Sequence, residues 1–307
     1  MEMETEPKTE TYHDTSYLDL LRDVLSNGVS RGDRTGTGTR GVFGRQLRFD
    51  ISIHVPILTT KRIYWKSCIL ELLWFLRGQT NVRHLQERGV KIWNGNSTRE
   101  FLDANGLSHL EDGELGPIYG FQWRHFGGNY LPEGEKGRGD GGYDQIKYII
   151  NELKTNPTSR RLVLSAWNPP QMKYMALPPC HVLCQFYVEK PKTPYTPPML
   201  SCHLYQRSVD VFLGLPFNIL SYTALTYLLA EIVGMTPHEL IISTGDTHIY
   251  NDHLQQVWEQ LSRSPFPSPT MKISSATKEK ELENVELEDF EITDYVFHPA
   301  IVGAMSA

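Results

Sequence analysis

The chain has 307 residues, 40% of them apolar and 21% charged, and a formal charge of -6. These values lie close to those of an ordinary globular domain, which excludes a fibrous or wholly disordered protein, and the lack of a basic excess speaks against nucleic acid as the main partner. The longest apolar run, Ile69 to Leu76, is broken by Glu71 and falls far short of the roughly 20 residues of a membrane span, while four cysteines are too few to staple a chain this long.

Residues 1–13 read as a disordered acidic tail. MEMETEPKTE sets Glu2, Glu4, Glu6 and Glu10 against Lys8 alone, where targeting peptides are basic or apolar. A reducing, cytoplasmic setting is the expectation, with nucleus or mitochondrion left open. Residues 14–307 read as one domain, because no internal composition shift marks a boundary. From Thr15 to Ser26 the residues Leu18, Leu21, Val24 and Leu25 recur at helical spacing, with Gly28 as the stop. Gly36, Gly38 and Gly41 form a GxGxxG, but the turn-like SNGVSRGD precedes it and the alternating VFGRQLRFDI follows. A dinucleotide site needs a strand before the glycines and a helix after them, so this is a glycine-rich turn. Arg34 beside it would suit a phosphate, although a lone arginine is more often a surface charge. Leu47, Phe49 and Ile51 alternate as a strand, and Trp65 to Leu76 is apolar enough to be a buried helix. Glu71 in that helix must be paired, hydrated or functional, since burial penalises its charge.

Asp144 to Asn156 reads as a helix and Leu162 to Trp167 as a short buried strand, opened by Arg160 and Arg161. His181 to Glu189 and Met199 to Arg207 alternate as a hairpin across the proline-rich KPKTPYTPP, and the stretches 127–142 and 190–198 read as surface insertions. Cys180, His181, Cys184, Cys202 and His203 could in principle hold zinc. On an alternating strand, however, His181 and Cys184 point to opposite faces, and no second CxxC-like pair exists, so no metal is expected. Cys180, in PPCH, is either a small buried hydrophobe or a nucleophile whose thiolate needs nearby cations. Pro216 to Val233 reads as a long buried helix with Asn218 near its start, as cap or as ligand. Glu239 to Ile249 is a strand whose end puts His248 and Tyr250 on one face, and His253 to Arg263 is an amphipathic helix. Such irregular interleaving is an α+β pattern.

RTGTG at 34–38, ELLWFLRG at 71–78, GPIYGFQWRHFG at 116–127, ALPPCH at 176–181, LYQRSVDVFLGLPFNI at 204–219 and GDTHIY at 245–250 together resemble thymidylate synthase. The likeness runs from about residue 14 to the C-terminus. It implies an α+β fold in which a mixed sheet flanked by helices also forms a homodimer interface. It implies reductive methylation of dUMP by 5,10-methylenetetrahydrofolate as co-substrate, with no metal; the rival is a deoxypyrimidine hydroxymethylase on the same fold. Cys180 would attack C6 of the ring, with Glu71, Tyr119, Asn218 and Arg207 assisting. For dUMP the resemblance implies Arg34, Gln206, Arg207, Ser208, Asp210, Asn218, His248 and Tyr250, with Arg160 and Arg161 reaching in from the partner subunit. For the folate it implies Lys61 at the glutamate tail, with Trp93, Asn96, Asp210, Leu213, Gly214, Phe217 and the C-terminal Ala307. Family members usually close the site with a C-terminal segment ending in a larger aliphatic residue, so Ala307 is a departure, as is Asn94 where aspartate is common. A secondary, salt-dependent RNA affinity that survives Cys180→Ser stays compatible with the charge balance.

Overall fold

The computed structural model describes residues 10–33, 35–131, 141–190, 193 and 195–305. Of the expectations above, Arg34, Ala307, most of the 1–13 tail and much of both surface insertions lie outside these residues. In chain order come α1 (Asp14–Asn27), β1 (Val29–Arg31), β2 (Thr39–Asp50), α2 (Trp65–Leu76), α3 (Arg83–Gln86), α4 (Arg99–Ala104), α5 (Tyr119–His125) and α6 (Gln145–Thr155). They are followed by β3 (Val163–Ser165), β4 (His181–Glu189), β5 (Met199–Asp210), α7 (Gly214–Val233), β6 (Thr236–Tyr250), α8 (Leu254–Leu261), β7 (Thr270–Ile273) and β8 (Phe290–Thr293). Six strands form one sheet in the order β1-β2-β6-β5-β4-β3; only β5 and β6 run parallel, so the sheet is mixed. This is the expected α+β architecture. No helix among the described residues is long and apolar enough to cross a membrane.

The glycine-rich segment is a turn and not a nucleotide fingerprint: Gly36 and Gly38 take φ of 77° and 76°, and β2, not a helix, follows. α2 and α7 are apolar nearly all round and fill the centre of the molecule. α7 covers one face of the sheet, whose inward residues Leu204, Leu240 and Ile242 are fully buried. On the opposite face Tyr187 and Tyr205 stand 63% and 39% exposed beside His203 and Ser243.

Two local readings need correction. β4 does not alternate strictly, because its register with β5 shifts between His181 and Leu183. One extra residue there turns both His181 and Cys184 inward. Asn218 does not cap α7 either; it lies inside the first turns, and the chain entering the helix is held by Asp210, whose Oδ1 accepts from Phe212 N at 2.9 Å and Leu213 N at 3.1 Å.

The first helix is locked to the core by its own first residue. Asp14 is fully buried and accepts from Thr59 N at 3.0 Å, from Thr60 N at 2.9 Å and from the Thr60 hydroxyl at 2.7 Å. Burial raises its pKa, and these bonds pull it back down. Asp14→Ala should destabilise the fold by about 3 kcal/mol in urea unfolding, since it strands two buried backbone donors. A loss below about 0.5 kcal/mol would mean that water replaces the carboxylate.

Candidate active site

The C-terminal end of β5 and of its parallel neighbour β6 presents two rows of polar side chains on one face. Period-2 alternation puts Gln206, Ser208 and Asp210 beside Thr244, Asp246 and His248, with Tyr250 one step further along β6. Cys180 stands at the head of β4, joined to β5 where Arg207 N donates to its carbonyl at 2.9 Å. Its thiol forms no disulfide and is half-buried.

Arg207 shapes the turn that carries the thiol. Its Nε donates to Pro179 O at 2.8 Å and its Nη2 to Pro178 O at 2.9 Å, and Nη2 also lies 3.7 Å from Cys180 Sγ. The guanidinium stands 5.6 Å from the Trp167 ring. A cation held this close to sulfur favours thiolate over thiol. From the other side Tyr119, the first residue of α5, accepts from Cys180 N at 2.7 Å. Burial first, and then the Cys180 charge, raise the Tyr119 phenol well above its ordinary value, so it stays protonated with a hydrogen to offer.

His181 is not a base for the thiol. Burial lowers its pKa to about 3, its ring stacks on Tyr119 at 3.8 Å, and its Nδ1 meets the Tyr222 hydroxyl at 2.7 Å. That excludes the Cys-His pairing of a hydrolase. Tyr222 was not evident as a site residue in the sequence, because nothing near position 222 marks it as the neighbour of a histidine 41 positions earlier.

Glu71 opens a second cluster on α2. Burial raises its carboxyl to about 7, offset in part by the Trp93 indole N–H, which donates to Oε1 at 2.7 Å. Among the described residues this neutral donor stands where a buried carboxylate ordinarily has an ion pair. Trp93 in turn lies 6.1 Å from the Tyr119 ring, so the carboxyl and the thiol border one aromatic wall. Gln206 and Asn218 meet through their amides, Gln206 Nε2 donating to Asn218 Oδ1 at 2.8 Å. Gln206 Oε1 is buried with no hydrogen-bond partner among the described residues. A half-buried apolar shelf of Leu213 and Phe217 lies at the start of α7 near Asp210 and Gly214, and Asn96 follows Trp93 in a short 3-10 turn. The shelf suits a flat aromatic ligand. No group of histidine, cysteine and carboxylate side chains able to hold a metal exists among the described residues.

Three expected residues are placed apart. Lys61 turns inward: its ammonium donates to Phe212 O and lies 3.6 Å from the Phe212 ring, and burial lowers its pKa to about 7. It reaches no surface where an acidic tail could meet it. Arg160 and Arg161 are exposed at the edge strand β3. The β3–β4 register places them near Tyr187, about 20 Å along β4 from Cys180 at the usual strand rise. They cannot serve the site of their own chain.

The C-terminal segment returns to this region. His253, fully buried, meets Ala304 O through Nε2 at 2.7 Å and packs 5.2 Å from the Phe212 ring. Gly303 lies so close that a Cβ would stand 2.9 Å from Phe212 Cε1 and 3.0 Å from His253 Nε2.

A family model described as thymidylate synthase matches residues 15–307. The chain is 48% identical to the thymidylate synthase of equine herpesvirus 2 over 296 residues, 96% of this chain and 99% of that protein. It is also 48% identical to the thymidylate synthase of human herpesvirus 8 type P, covering 95% of this chain and 84% of that protein. It is 46% identical to the Homo sapiens thymidylate synthase over 305 residues, 99% of this chain and 94% of that protein.

Proposed function

The chain belongs to the thymidylate synthase family, and we propose that it runs that reaction through the thiol of Cys180. The reaction is the reductive methylation of dUMP to dTMP, in which 5,10-methylenetetrahydrofolate supplies both the carbon and a hydride and leaves as dihydrofolate. The observation that carries the residue assignment is the convergence of Arg207 and Tyr119 on Cys180 from two elements.

The sulfur adds to C6 of the uracil ring and pushes electron density onto O4 and C5, so that C5 becomes the nucleophile. Glu71, with a pKa of about 7, is matched to giving and taking protons near neutrality at the ring oxygen and the folate. Asn218 offers an amide that pairs with the N–H and carbonyl edge of uracil, its orientation fixed by Gln206. Tyr119 assists removal of the C5 proton through water. Arg34, Arg207 and Ser208 hold the 5′-phosphate, and His248 and Tyr250 hold the sugar hydroxyl. Trp93, Asn96, Leu213, Gly214 and Phe217 form the folate wall with Asp210, and Ala307 completes it at the C-terminus.

Two like chains are needed. We place the dimer interface on the sheet face that exposes Tyr187 and Tyr205, so that the partner subunit's Arg160 and the partner subunit's Arg161 complete each phosphate site. A cytoplasmic location and a secondary RNA affinity belong to the same reading. Mixing Cys180→Ser subunits with Arg160→Ala/Arg161→Ala subunits, each inactive alone, should restore about a quarter of wild-type activity by statistical exchange. No recovery after verified subunit exchange would sink the shared site.

A further inference from the structure

We infer that Asp246 is a positioning residue that makes His248 Nε2 an obligatory hydrogen-bond acceptor for the nucleotide's sugar hydroxyl. This rests on the reading of His248 as a sugar contact. Asp246 and His248 are two apart on β6 and so share a face, and Asp246 Oδ1 lies 2.9 Å from His248 Nδ1. A carboxylate has only acceptors to offer, so in the neutral imidazole Nδ1 must carry the hydrogen and Nε2 the lone pair. The second carboxylate oxygen, Oδ2, faces Arg31 Nη1 at 3.4 Å. The two oxygens thus have separate tasks, one on the guanidinium and one on the imidazole. Tyr250 stands 5.2 Å from the His248 ring at 86°, which fixes the ring plane. With ring plane and tautomer both set, Nε2 has one chemical role. In a 2′-deoxynucleoside 5′-phosphate the only free hydroxyl is the 3′-OH, and it must donate.

Asp246→Asn tests this, because the amide oxygen is drawn to Arg31 and leaves the amide N–H facing Nδ1. The hydrogen then moves to Nε2 and the ring presents a donor. The 15N shifts of His248 should switch from the Nδ1–H to the Nε2–H pattern. KM for dUMP should rise about tenfold with kcat changed less than about twofold. 2′,3′-Dideoxyuridine 5′-phosphate, which lacks the hydroxyl, should be handled equally by both enzymes. Adding Arg31→Ala to Asp246→Asn frees the amide to turn its oxygen back, and should restore both the tautomer and KM. An unchanged tautomer, or an equal KM increase for both nucleotides, overturns the inference. If wild type never distinguishes the two nucleotides, the sugar assignment of His248 is what fails, and the tautomer switch tells the two cases apart.

Discussion

Cys180→Ser is expected to lower kcat by about 10⁴-fold or more, with folding intact because the change is nearly isosteric. A serine hydroxyl attacks only with a base beside it, and His181, the histidine next to Cys180, is not one. The adjacent imidazole is held neutral by burial, stacked on Tyr119 and bonded to Tyr222. Arg207, 3.7 Å from the sulfur, helps a group that can ionise near neutrality and does nothing comparable for an alcohol. The check is intact-protein mass after incubation with 5-fluoro-dUMP and methylenetetrahydrofolate. Wild type should retain the nucleotide and the serine variant should not. An adduct that persists in the serine variant would refute Cys180 as the attacking group.

Glu71→Gln should divide the two roles of that side chain. The amide oxygen still accepts from Trp93, but proton relay is lost, so kcat should fall by about 10²- to 10⁴-fold. Stability should move the other way. The carboxyl titrates at about 7 in the folded protein and at 4.5 when unfolded, so between these values the native state binds the extra proton. Wild-type stability therefore declines as pH rises from about 4.5 to 7, by up to ~3 kcal/mol, and the full cost persists above pH 7. Glutamine removes that cost. Urea unfolding at pH 8 should favour the variant by up to ~3 kcal/mol, and the gap should close near pH 4.5. A variant less stable than wild type at pH 8 would mean that the native carboxylate has a compensating partner.

Much of this arrangement was legible in the chain because its signals are local. The burial of Trp65 to Leu76 follows from apolar residues on every side of the helix, and the β4–β5 hairpin follows from alternation on either side of a proline-rich linker. The glycine turn was separable from a nucleotide loop by what flanks it. Alternation failed at His181 because a bulge is a pairing event between β4 and β5, invisible in either strand alone. Asn218 was misread as a possible cap because Asp210, four residues before α7 begins, already holds the entering chain. Lys61 could not be placed, since its partner is the backbone carbonyl of Phe212, 151 positions away. Asp246 went unnoticed because an aspartate two residues from a histidine is ordinary until the strand puts both on one face.

The seat of the C-terminal segment bears on how the chain can vary. What His253 grips is the carbonyl of Ala304, and a main-chain carbonyl is the same whatever side chain follows it. Substitution at position 304 is therefore cheap at this contact, whereas Gly303, pressed against Phe212 and His253, has no room for even a methyl group. The positions where substitution is costly at this contact therefore lie on the receiving surface and at one glycine.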